Sequence, residues 1–164
     1  MTDREDIIIN LDEAEEHEHL DGQYFGGYYK VLTTMEQMGH LGVNLSRVPP
    51  GRTACPFHSH QLEDEVFIVL EGRGTLRYGE DRFEIGPGDC ISCEAGSGLS
   101  HQIGNTGDVD LLYLSIGYND PNEVCTYPDS DTVMVRSLGK VGRFESTKYG
   151  DGEPVPPKIL DSSS

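Results

Sequence analysis

The sequence predicts an all-β barrel or sandwich, and three observations carry that prediction. Between about Leu41 and Tyr118 short β-rich stretches are cut repeatedly by glycine, among them Gly51, Gly72, Gly79, Gly88, Gly104 and Gly117, the punctuation of a small closed sheet. Val66 to Leu70 and Leu111 to Ile116 are apolar β-formers of strand length, whereas Thr75 to Tyr78 and Arg82 to Ile85 are half-polar and suit an exposed hairpin around Gly79. Helical signal is weak. Only Asp12 to His19, charged nearly all round, and a short turn near Thr34 to Met38 read as helical, and neither has an apolar stripe able to anchor a core.

The elements follow in order. Residues 1–40 form an N-terminal β-rich arm, with Ile7 to Ile9 and Tyr28 to Leu32 as its candidate edge strands, and an arm of this kind suits a dimer. Residues 41–118 make the barrel. Residues 119–150 are an extension in which Asn119 to Asp131 is turn-rich and Thr132 to Val135 is a last strand. Residues 151–164 carry Pro154, Pro156, Pro157 and three terminal serines, a composition that predicts a disordered tail. At 164 residues the chain fits one domain that needs no disulfide to hold its core.

Charge narrows the partners. Twelve Lys and Arg against 29 Asp and Glu leave a net charge of -17, which repels phosphate backbones and anionic bilayers, so neither nucleic acid nor membrane is expected as a partner. The start MTDREDIII lacks the basic-then-apolar order of an export signal, so a cytoplasmic location and four free thiols are expected. No Gly-rich phosphate loop opens a helix and no repeat is present, so a nucleotide site is not indicated.

The chemistry concentrates in Cys55-Pro56-Phe57-His58-Ser59-His60-Gln61-Leu62-Glu63-Asp64-Glu65, which runs into the apolar strand Val66 to Leu70. Residues two apart on a strand share a face, so His58 and His60 can both point inward at one ion. Glu65 opens the next strand, whose inward set is Glu65, Phe67 and Val69. His101, after the glycine-rich turn Ala95 to Gly98, supplies a fourth ligand, with Ile103 on its face. Three imidazoles and one carboxylate suit one divalent metal ion of the Fe, Mn, Ni, Co or Zn type, with positions left for water or substrate. Phe67, Val69 and Ile103 are expected to line the cavity.

Other candidates have plainer readings. His17 and His19 repeat the His-x-His spacing amid glutamates, with no apolar strand following, and read as a solvated segment. His40 beside Gly39 reads as a turn or strand residue. Cys90 and Cys93 have the spacing of a redox pair, but residues three apart on a strand face opposite ways, so the two cannot share an ion.

These residues resemble the cupin superfamily. Gly51, His58, His60, Glu65 and Gly72 match its first motif, and Gly88, Gly96, His101 and Asn105 its second, over about Pro49 to Ile116. The gap after Gly51 is one residue longer than the commonest form, Glu94 stands where Pro is usual, and four residues rather than two separate Gly96 from His101. The resemblance implies a double-stranded β-helix, the jelly-roll barrel, commonly homodimeric, with a metal near one mouth. The wording from Cys55 to His60 and from Tyr127 to Ser130 also resembles small single-domain bacterial cupins, some labelled sugar-phosphate isomerases by similarity alone.

Fold does not choose the function. An oxygenase with a redox-active metal, a Lewis-acid isomerase or lyase, and a non-catalytic sensor or binding module are the three readings, all taking a small polar, oxygenated metabolite as ligand. A metalloenzyme leads, with Glu94 as the proton-handling candidate. A phosphorylated substrate requires a cationic clamp, and the only cations near the motifs are Arg47, Arg52, Arg73, Arg77 and Arg82.

Overall fold

The computed structural model describes residues 7–33 and 38–160. Among them are thirteen strands: β1 (His17–Asp21), β2 (Phe25–Thr33), β3 (Leu41–Val48), β4 (Ser59–His60), β5 (Glu65–Glu71), β6 (Gly74–Tyr78), β7 (Asp81–Ile85), β8 (Cys90–Cys93), β9 (His101–Gly104), β10 (Leu111–Tyr118), β11 (Val124–Tyr127), β12 (Thr132–Val135) and β13 (Lys140–Gly142). Every strand pairing is antiparallel. One layer runs β1-β2-β3-β10-β5-β8, and the other is assembled from β13-β12-β11-β4 and β7-β6-β9. His58 and His101 join those two pieces as an antiparallel bridge. The His101 N–H donates to the His58 carbonyl at 2.7 Å and the His58 N–H donates back to the His101 carbonyl at 3.1 Å. The result is the all-β, double-stranded β-helix that the motifs implied. No helix among the described residues is long and apolar enough to cross a membrane.

Alternation fills the space between the layers. Val48, Phe67, Val69, Ile91, Leu111 and Tyr113 project from the first layer and Leu76, Ile85 and Ile103 from the second, all buried in one cluster. Each lies on the same strand parity as its inward neighbours, so a shift of one residue in any register would turn a whole set to solvent. Gly72 closes the turn before β6 with φ +77°, and a Cβ there would collide with the Asp110 carbonyl. Glycine is therefore required on two grounds.

The arm differs from expectation. Ile7 to Ile9 form no strand and are exposed, and the first strand is instead β1, which takes up His17 to His19 of the stretch expected to be helical. A segment charged on every side gains nothing from helical burial, whereas pairing with β2 satisfies its backbone groups. Tyr28 to Leu32 does lie in a strand, β2. The helical turn expected near Thr34 to Met38 falls on residues 34–37, outside the described residues. In the extension, Thr132–Val135 is a strand as expected but β13 follows it, and the turn-rich stretch holds β11, whose Cys125 and Thr126 pair with His60 and Ser59. Residues 151–160 are exposed turns ending in a short 3-10 segment, Lys158–Leu160.

Asn105 secures the end of the barrel. Its buried side-chain amide donates to the Val48 and Val109 carbonyls at 2.7 and 2.8 Å and accepts from the Gly107 N–H at 3.0 Å. One side chain thus ties the end of β3 to the loop between β9 and β10. Asn105→Ala would strand buried backbone acceptors, and the expected loss of stability is roughly 2–4 kcal/mol by urea unfolding, with the spectrum of the folded state retained.

Candidate metal centre

The cluster is built from both layers. His58 and His60 flank Ser59 on the short β4 segment, and their rings meet edge to face with centroids 4.9 Å apart. His101 opens β9 directly across the bridge from His58, ring centroids 4.5 Å apart. Glu65 opens β5 in the opposite layer and reaches over to all three: its Oε2 lies 2.9 Å from His101 Nε2, 3.2 Å from His60 Nε2 and 3.9 Å from His58 Nε2. One donor atom from each of the four residues falls within 4.8 Å of the others. The strand parity read from the sequence thus brings the four together.

The long turn before His101 is accommodated locally. The Gly96 N–H donates to the His60 carbonyl at 2.9 Å and the Ala95 N–H to Asp64 Oδ1 at 2.8 Å, which pins the extra residues beside the first motif and leaves the bridge undisturbed. His58 is fixed from behind, since its Nδ1 is 2.8 Å from the Pro56 carbonyl. With that nitrogen donating, Nε2 presents a lone pair to the cluster. His60 is less satisfied: both ring nitrogens are buried and neither has a hydrogen-bond partner. An orphaned imidazole beside a shared carboxylate oxygen is the geometry expected of a metal ligand set.

Electrostatics favour a neutral His58 and a charged Glu65. Burial, reinforced by His101, pulls His58 down to about 4. Burial also opposes charge on His60, but Glu65, then Glu123 and Glu63, outweigh it and raise the group. Burial works against ionised Glu65, yet the hydrogen bond from His101 and the nearby His60 ring prevail and hold it far below the usual carboxylate range. The thiols stay protonated: burial, then Glu65, pushes Cys55 and Cys93 each up to about 12, and burial pushes Cys125 up to about 11. Thiolate ligation is disfavoured. All four cysteines are free, and Cys90 is exposed while Cys93 is buried, as their opposite faces require.

Behind His60 stands a set that sequence reasoning missed. His60 Nδ1 is 3.5 Å from Glu63 Oε2 and 3.5 Å from Glu123 Oε1. Glu123 is wholly buried and accepts the Gln61 and Leu62 N–H groups at 2.8 and 2.9 Å. Glu63 accepts the Asp120 N–H at 2.6 Å and is held in a two-point ion pair by Arg136. Glu123 and Arg136 lie more than sixty residues from His60, and no local pattern marks them. Tyr127, stacked 6.0 Å from His58, and Tyr113, edge-on to Phe67 at 5.9 Å, also went unassigned.

Three further expectations are adjusted. Phe67 does border the cluster, its ring 5.7 Å from that of His101. Val69 and Ile103, 1% and 3% exposed, are packed in the core cluster, two and one inward positions beyond Glu65 and His101 on their strands. Glu94 lies outside the four-residue cluster and is exposed at the end of β8, its carbonyl accepting from the Ser97 hydroxyl at 2.8 Å. The His-x-His at His17 and His19 takes no part in the four-residue cluster, and His40 stacks on Tyr118.

Comparison with known families finds the cupin domain matched over residues 44–117. Residues 44–117 are thus similar to a cupin domain. The cupin segment is 36% identical over 70 residues to an oxalate-binding protein of Thermotoga maritima, covering 43% of this chain and 55% of that protein. The chain spans about half the length of the curated relatives it matches. Among solved structures, a cupin-superfamily sugar phosphate isomerase from Silicibacter pomeroyi shares 28% identity at a TM-score of 0.69, covering 90% of this chain and 95% of that one. A structure provisionally named a sugar phosphate isomerase, from Acidithiobacillus ferrooxidans, superposes at 0.71 with 23% identity, covering 89% and 99%. That likeness speaks for the fold.

The Glu63–Arg136 pair makes a direct prediction. Arg136→Leu would leave Glu63, 4% exposed, without its counter-charge. Arg136 itself is partly exposed, so the expected loss of stability is roughly 2–4 kcal/mol, recovered in part by the Glu63→Gln, Arg136→Leu pair in a double-mutant cycle.

Proposed function

We propose that this cupin is a divalent-metal protein, with His58, His60, Glu65 and His101 as ligands, acting on a small polar metabolite that carries oxygen donors. The carrying observation is the meeting of three imidazoles and one carboxylate, drawn from both layers, around His60 nitrogens that are buried and unpartnered. The donor set is mixed nitrogen and oxygen and accommodates Fe, Mn, Ni, Co or Zn. Bound there, the ion would supply a Lewis acid, or for Fe and Mn a redox centre, to an oxygen-bearing ligand. The chain's own groups do the rest: the Pro56 carbonyl fixes the His58 tautomer, Glu63 and Glu123 face the far nitrogen of His60 and orient its ring, and Phe67 excludes water from the side of His101.

The named relatives divide between an oxalate-binding protein and sugar phosphate isomerases. Three of the five arginines near the motifs are already engaged, Arg47 by Glu16 and Asp110, Arg77 by Asp129, and Arg52 by the Gly22 and Phe25 carbonyls. That weighs against a phosphate clamp. A non-catalytic binding module is the second reading, favoured by the oxalate-binding role of the Thermotoga relative. The partner expected beside the ligand is a second copy. Leu45, Ile68, Leu112 and Leu114, on the outward parity of the first layer, stay only half-buried and make a contiguous apolar band. Light scattering is expected to give twice the chain mass, and Leu114→Lys to return it to one.

The metal reading is tested by elemental analysis of untagged protein beside a His58→Ala, Glu65→Gln variant. Near-stoichiometric metal that the variant lacks is expected; no metal in either, even after reconstitution, would leave the binding-module reading. Calorimetry of metal binding in buffers of different ionisation enthalpy adds a second readout. His60 has a raised pKa and must lose its proton to bind, whereas His58, at about 4, is already neutral. Metal binding should therefore release a proton from His60 below its raised pKa, and the release should fall as the pH rises through that pKa; release that shows no such fall would remove His60 from the ligand set.

A further inference from the structure

We propose that the cavity on the inner face of β2, β3 and β10 is a ligand site that takes an uncharged, hydroxyl-rich molecule of monosaccharide size. The inference rests on the reading of the four-residue cluster as a metal site and names the chemistry of what binds beside it. The cavity is about 360 Å³ and is walled by His19, Tyr29, Asn44, Ser46, Val48 and Ser115. That volume falls in the range of small-molecule sites, roughly 300–1,000 Å³.

Register places the cavity next to the cluster. Ser115 pairs with Asn44 on one side and with Phe67 on the other, while Glu65 pairs with Gly117 two residues along the same strand. Ser115 and Glu65 are thus diagonal neighbours across β5 and β10, with Cα atoms roughly 7–8 Å apart. The Glu65 side chain itself lies over Gly117, its Cγ 3.5 Å and its Oε1 3.8 Å from where a Cβ on that glycine would stand.

The walls define the ligand class. No Lys, Arg, Asp or Glu lines the cavity, so a phosphate or carboxylate would sit there without a counter-charge in a chain of net charge -17. The polar groups are neutral. The Ser46 and Ser115 hydroxyls share one long hydrogen bond of 3.3 Å, which either can surrender to a ligand hydroxyl. Asn44 adds an amide with both donor and acceptor capacity. Tyr29 and Val48 supply apolar surface for the C–H face of a sugar ring, whereas a purely apolar ligand would strand the hydroxyls and the amide.

The test is ligand-observed saturation-transfer NMR with D-ribose and D-ribose 5-phosphate, on protein as purified and after chelator treatment. Transfer from ribose is expected in the purified protein, with affinity falling about 5-fold in each of Asn44→Leu and Ser115→Val, the effect of one neutral hydrogen bond. Both variants keep parental metal content and circular dichroism. Ribose 5-phosphate is expected to bind no more tightly than ribose. Absence of transfer from ribose, transfer indifferent to both substitutions, or clear preference for the phosphate would each overturn the subsite. Failure of the metal reading shows separately, as metal-free parent protein in the elemental analysis, and ribose transfer sensitive to Asn44 and Ser115 would still support the cavity in that case.

Discussion

The backbone bridge between His58 and His101 is the contact on which the rest of the molecule turns. Two short hydrogen bonds join β4 to β9, and through them the β13-β12-β11 extension to the β7-β6 hairpin, so that two small ribbons become one layer. An antiparallel bridge also holds its two side chains on the same face at close range. Closing the barrel and bringing two imidazoles together are one event. The candidate site is therefore fixed by main-chain geometry, and the side chains need little freedom to reach it.

Charge buried at such a place has to be answered. Glu65 crosses from the first layer and is shared among three histidines, and the ring of His60 is flanked on its other side by two buried glutamates. Glu123 is satisfied by two backbone N–H groups and Glu63 by Arg136 and the Asp120 N–H. Buried carboxylates left without such partners would shift toward protonation or destabilise the fold. The β11–β12 extension thus completes the electrostatics of a site whose candidate ligands all lie in the barrel proper.

Much of this was legible in the residues. The alternation in Glu65, Phe67 and Val69 gave the inward face of β5, the hairpin around Gly79 was marked by its flanking half-polar strands, and the two motifs named the four residues that meet. The failures have a common cause. Asp12 to His19 has no apolar period of any kind, so only its pairing with β2 makes it a strand, and Val124 to Tyr127 was hidden by the turn residues around it. Glu94 drew attention through a departure from a motif, but position in a motif says nothing about exposure.

What the sequence determined by itself was local: residue types, their parity on strands, the turns glycine permits, and with these the all-β class and the four candidate ligands. Period-two alternation is written into neighbouring residues, so it survives without a structure. The tertiary structure alone decided which side chains meet across the layers: Glu65 against three histidines, Glu63 and Glu123 behind His60, Arg136 against Glu63, and the uncharged cavity beside Gly117. Those meetings depend on sheet order, register and crossing between layers, quantities set by the packing of the whole barrel and carried by no short stretch of chain.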